Sequence, residues 1–272
     1  MRATIEERER IMVFEIPRRD CNVLNVGHHS QLLNNWRVVA TNATENTMLN
    51  VEICEAVSGL SVGIVQASGL TIAESDSVLR DYCDHAVAQV LQEGPAGGDE
   101  HRQHVRAMLR VGGFKPAGRN KPAQEYLART VEKEGSLPAI LNVVDLLNAV
   151  SLKSGLPISM LAADRLGASS LLRYGQQDES FVFNRAGQEL SLTGLICWCS
   201  DQDGDFTPLG SPVKNSMAGK VTEKDTGIAV CVYAPAESVT GNELQRIADE
   251  FGDGLVRWCG ATEYESDVVS CH

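Results

Sequence analysis

Four polar residues recur at every third position of one apolar run: Asn142, Asp145, Asn148 and Ser151. Between them stand Val143, Val144, Leu146, Leu147, Ala149, Val150 and Leu152, so a helix over 142–154 is apolar nearly all round and belongs in an interior. Asn142 reads as its N-cap and Asp145 as a first-turn acid that suits the helix dipole. Asn148 is left mid-helix, where asparagine is a poor helix former and needs a partner if buried. Two readings stay open for it: the polar wall of a pocket, or a satisfied core asparagine. Gly155 and Pro157 end the helix.

A second chemistry lies in charge. The 272 residues carry a formal net charge of −12, which argues against a general nucleic-acid binder and against DNA. Yet Arg102, Arg106, Arg110, Lys115, Arg119, Lys121 and Arg129 face a single acid, Glu125, within 102–129. That segment holds +6 and leaves −18 for the rest, an asymmetry that points to one local anionic contact. Arg102, Arg106 and Arg110 fall at i, i+4 and i+8, one face of a helix that either meets phosphate or is simply solvated.

Other combinations are weaker. Cys197 and Cys199 would share a strand face, but no second pair or nearby histidine completes a ligand set, so no metal and no cofactor are expected. The acidic turn 201–205 resembles part of a calcium loop, but Pro212 stands where the closing glutamate belongs. The eight cysteines are scattered and read as reduced, mostly buried thiols.

The elements that must position these groups follow from periodicity. Val51–Val57 and Leu60–Ile72 read as a hairpin about Ser58-Gly59. Helices are expected from Ser75 as N-cap to about 92, over 100–111 and from Pro122 to Gly135. Strands follow at 181–184, 189–193, 195–200, 206–209 and 228–233, then a helix over 242–251. Helices first and strands later predict an α+β fold, a largely antiparallel sheet with packed helices. The domain is expected over 48–260, with a loosely attached extension at 1–47 and a C-terminal tail at 261–272. The extension includes Gly27-His28-His29, and Met48 is a candidate alternative start. No segment reads as membrane-spanning or as a signal peptide, so a cytoplasmic protein is expected.

The run from Leu137 to Leu152, with Gly155-Leu156-Pro157 after it, is similar to the "INxVVDxxNxVxL" and "GxP" signatures of one family. That family is the editing (B-three/B-four) domain of the phenylalanyl-tRNA synthetase β subunit. Arg106-Ala107-Met108-Leu109-Arg110 resembles the "YRxLLR" helix of its freestanding members, Gly113-Phe114-Lys115-Pro116 their "GxxP" turn, and Val51–Val65 their opening hairpin. The resemblance covers about 48–260. It implies a pocket that takes the 3′ end of a charged tRNA and hydrolyses the ester of a wrong amino acid by positioning water. Arg102, Arg106, Arg110, Lys115 and Arg119 would then meet tRNA.

Carried over residue by residue, the pocket asparagine is Asn148, with Asp145 beside it. The family's threonine before that asparagine is Leu147 here, its histidine is Ser159, and its late-strand glutamate falls at Cys231. Lys214, Asn215 and Ser216 lie in a loop that resembles a polar motif of the freestanding group. The implied catalytic set is thus Asn148, Ser159 and Asn215, within a pocket of Asp145, Leu147, Lys214, Ser216 and Cys231. The groups that would read a substrate hydroxyl are missing, which removes the basis for rejecting tyrosine. Two functions follow: a trans-acting aminoacyl-tRNA deacylase, or a non-catalytic module that binds tRNA, a free amino acid or a protein. A small-molecule enzyme with Cys231 as nucleophile is a third, opposed by its apolar neighbours Val230 and Val232. With no nucleotide-binding loop or aminoacylation motif, the chain is not expected to charge tRNA, and docking on a synthetase is one route to its substrate.

Overall fold

A computed structural model describes residues 49–94, 96–202 and 204–271. The expected extension at 1–47, with its histidine pair and the Met48 start, lies outside the described residues.

The element order is β1 (Asn50–Ile53), β2 (Leu60–Ser68), α1 (Ser77–Glu93), α2 (Gly98–Arg110), α3 (Ala123–Glu134), α4 (Asn142–Ser154), β3 (Ile158–Ala162) and the single turn α5 (Ala163–Leu166). Then come β4 (Ser169–Tyr174), β5 (Ser180–Val182), β6 (Glu189–Ser191), β7 (Ile196–Gln202), β8 (Asp205–Gly210), β9 (Ile228–Pro235), α6 (Gly241–Cys259) and β10 (Glu263–Ser270). One sheet runs β10-β2-β9-β3, antiparallel throughout. A second runs β1-β4-β7-β8, with only the β1–β4 pair parallel. The hairpin β5–β6 stands apart from both. The fold is therefore α+β and largely antiparallel, as the segment order predicts.

Burial explains the strand order. Ile228–Pro235 is buried at every position, so β9 has no polar face and must sit inside its sheet. β2 is buried almost as completely and is flanked by β9 and β10. The predicted hairpin of 51–57 with 60–72 is not formed. β1 leaves β2 and pairs with β4, because β2 finds both its partners far along the chain. The predicted tail at 261–272 is likewise corrected: residues 263–270 form β10, whose burial alternates between half-buried and exposed as on a sheet edge.

Helix α6 lies on β2 and β10 and also packs on α4, which in turn touches α1 and α3. The approach of α6 to β10 needs glycine: a Cβ on Gly252 would fall 2.2 Å from Cε2 of Tyr264. Helix α1 starts one residue later than read, since Asp76 is the cap and accepts from the Leu79 amide at 2.8 Å. Ser75 instead donates to Asp145. Among the described residues no helix is long and apolar enough to cross a membrane.

Candidate functional site

The predicted residues separate into three places. The first is the start of α4. Asp145, 1% exposed, accepts from the Ile140 amide at 2.9 Å and the Ser75 hydroxyl at 2.5 Å, and pairs with Arg80 at 3.2 Å. Asn142 reaches across to the 71–73 loop, accepting from the Ala73 amide at 3.2 Å and donating to the Thr71 carbonyl at 2.9 Å. These two side chains tie the helix start to its neighbours. Asp145 is thus spent on the fold, not on a pocket. Leu147 is half-buried and packs on the core. Asn148 is 8% exposed, and among the described residues nothing hydrogen-bonds its side chain. It keeps the unanswered amide that a polar pocket wall requires.

The second place is the junction of β3 and β9 with the 211–216 loop. Ser159 stands opposite Cys231 in the sheet and is fully buried. Its hydroxyl lies 2.9 Å from the Ser211 carbonyl and 2.8 Å from Oδ1 of Asn215, and receives the Tyr233 hydroxyl at 3.1 Å. The Asn215 amide nitrogen donates to the Met160 carbonyl at 3.1 Å. Ser211 in turn donates to the Lys214 carbonyl at 2.7 Å, and Ser216 caps a short turn by accepting from the Ala218 amide at 3.2 Å. Burial drives the Cys231 thiol far above its usual range, with Tyr233 pulling the other way, so it is no nucleophile at neutral pH. This is a closed and satisfied network that clasps the loop to the sheet. Ser159, Asn215 and Ser216 thus all make hydrogen bonds within the protein, and Cys231 is fully buried beside them.

The third place is the basic segment, which the fold divides. Arg106 is locked to Glu125 by two hydrogen bonds of 2.6 and 2.5 Å, and Arg102 pairs with Asp99 at 3.0 Å. Only Arg110 of the predicted stripe is left exposed and unpaired, and Lys115 is exposed beyond the helix end. Two cavities open beside this segment. One, of about 610 Å³, is lined by Arg119, Tyr126, Phe183, Gln188, Glu189 and Lys214 among others. The Lys214 ammonium lies over the Phe183 ring, 3.7 Å from its centre. Burial and the nearby Arg119 both lower the Lys214 pKa, the mark of cations gathered without a counter-ion. Glu189 on the rim accepts from Ser180 instead.

The other cavity, of about 410 Å³, lies among α2, α3 and the end of α4 and is lined by His101, Arg102, Lys121, Gln124, Arg129 and Leu152 with several neighbours. Neither cavity is lined by Asn148, Ser159, Asn215 or Cys231. Gln124, His101, Tyr126 and Phe183 had no periodicity or motif to mark them. For Gln124, His101 and Tyr126 the one signal was proximity to the basic segment; Phe183, far along the chain, had none. Among the described residues no group of three or more His, Cys, Asp or Glu is placed to hold a metal.

The family profile of the B3/4 domain matches residues 112–248, half of the chain, and the chain belongs to that family. Among solved structures it is similar to an N-terminal fragment of the phenylalanyl-tRNA synthetase β subunit from Pyrococcus horikoshii, at 9% identity and a TM-score of 0.43. That match covers 84% of this chain and 52% of the fragment, so the chain spans about half the fragment's length. No curated protein sequence matches it.

Proposed function

We propose that this B3/4 chain is a cytoplasmic tRNA-binding module that takes the single-stranded 3′ end of a tRNA in the hollow of Arg119, Lys214, Phe183 and Tyr126. The observation that carries the reading is the convergence of Arg119 and Lys214, distant in the chain, on one aromatic hollow without a carboxylate paired to either. Cations beside exposed rings are what unpaired nucleotides use: phosphates meet the charge and bases stack on the π-faces. Arg110 and Lys115 extend the contact along the acceptor stem, where phosphate contacts position without reading sequence. The clasp at β3, which spends Ser159 and Asn215 on structure, supports binding without hydrolysis.

The test is fluorescence anisotropy with a tRNA and with the same tRNA lacking its terminal CCA. The truncated form and the Arg119→Glu variant should each bind about tenfold more weakly, and the variant's affinity should depend less steeply on salt. Equal binding of whole and truncated tRNA would sink the reading.

One observation favours a second reading, a trans-acting deacylase: the unpartnered Asn148 amide could hold a water against an ester. A panel of correctly and wrongly charged tRNAs, with Asn148→Ala beside wild type, decides it. Release of one amino acid that the variant abolishes would replace the binding module with an editing factor.

A further inference from the structure

We propose that the cavity among α2, α3 and α4 is a second, independent site, and that it binds a free nucleoside monophosphate. Three features of its wall define the ligand. The first is Gln124, 5% exposed, which lines the cavity and whose amide nitrogen and oxygen are buried with no partner. A buried amide left wholly unpaired is a standing cost, and a ligand edge with a donor beside an acceptor removes it at one stroke. The edges of nucleobases present that pair, and a glutamine amide meets adenine through two parallel hydrogen bonds.

The second feature is charge. Arg106 and Glu125 cancel each other, which leaves Arg102, Lys121 and Arg129 against Glu132 around the opening. Arg102 has only the exposed Asp99 beside it, and no ion pair joins Lys121 or Arg129 among the described residues. The surplus matches a phosphate monoester, which carries nearly two negative charges at neutral pH. The third is shape: Ala128 and Leu152 supply apolar wall for the plane of a base, and about 410 Å³ is ample for one nucleotide but not for a chain of them. His101 lines the same cavity, its ring buried beside the Gly155 backbone. Burial holds its pKa down, so this group meets the ligand as a neutral imidazole.

Calorimetric titration of the whole chain with AMP tests the assignment, with ribose 5-phosphate and adenosine as the halves of the ligand. AMP should bind at least tenfold more tightly than either half. Gln124→Leu should abolish the advantage of AMP over ribose 5-phosphate and leave the weaker affinity unchanged. Lys121→Glu, a partly exposed change that spares the core, should weaken AMP and ribose 5-phosphate alike by about tenfold. Absence of saturable AMP binding, or a Gln124→Leu variant that still prefers AMP, overturns the proposal. A CCA-ended RNA separates this site from the tRNA hollow. Loss of RNA binding in Arg119→Glu with AMP binding retained supports two sites. Stoichiometric displacement of AMP by that RNA overturns the free-nucleotide assignment and makes the cavity the seat of the RNA end.

Discussion

The β3–β9 clasp and the α2–α3 cavity are built from similar polar side chains but put them to opposite use. In the clasp, Ser159 is surrounded by Ser211, Asn215 and Tyr233, all within hydrogen-bond distance. In the cavity wall, Gln124 is almost equally buried and has no partner at all. Burial alone therefore does not mark a site. A buried polar group whose bonds are complete holds the fold together, and one whose bonds are open is available to a ligand, because the desolvation cost has already been met.

Breaking the satisfied groups should cost most. Asp145→Ala strands Arg80 and the Ile140 amide, and should cost about 3 kcal/mol in urea unfolding. Ser159→Ala leaves the Tyr233 hydroxyl and Asn215 Oδ1 without their shared partner in a dry interior, and should cost about 2 kcal/mol by the same measurement. A loss below about 0.5 kcal/mol at both positions would return them to the pocket that the family resemblance implies.

Next comes pH. The folded pKa of His101 is lowered by burial, so just below its ordinary value the unfolded chain binds the proton more readily. Stability should be fully present above about pH 6.5 and fall as the solution is acidified through that region. The His101→Gln variant should show a shallower fall of melting temperature between pH 7 and 5. Smallest of all is Gln124→Leu: with no hydrogen bond to lose, its stability should stay within about 0.5 kcal/mol of wild type or rise slightly. A loss of 2 kcal/mol there would mean that the amide has a structural partner and would erase the contrast.

Much of the fold was legible along the chain. The helix at 142–154 kept its predicted span, since an apolar run with a glycine stop needs only neighbours three and four positions away, but its cap is Leu141, and Asn142, read as the N-cap, is its first helical residue. The strands at 181–184, 189–193, 195–200, 206–209 and 228–233 were read within a few residues of their places. The hairpin at 51–72 failed because a strand's own residues say that it pairs and not with which strand. β10 was missed because its exposed, acidic edge pattern resembles a solvated tail.

The site shows the same division. The sequence by itself determined that one short segment carries a net positive charge in an acidic chain, and residue types nominated Asn148 as an amide in need of a partner. Only the tertiary structure decided that Arg106 would be spent on Glu125, that Ser159 would be sealed, and that Arg119 would meet Lys214 across a hollow. The physical reason is one of range. Periodicity and capping act within a turn of helix or a pair of strand residues, while satisfaction of a polar group depends on whichever distant segment the packing brings beside it.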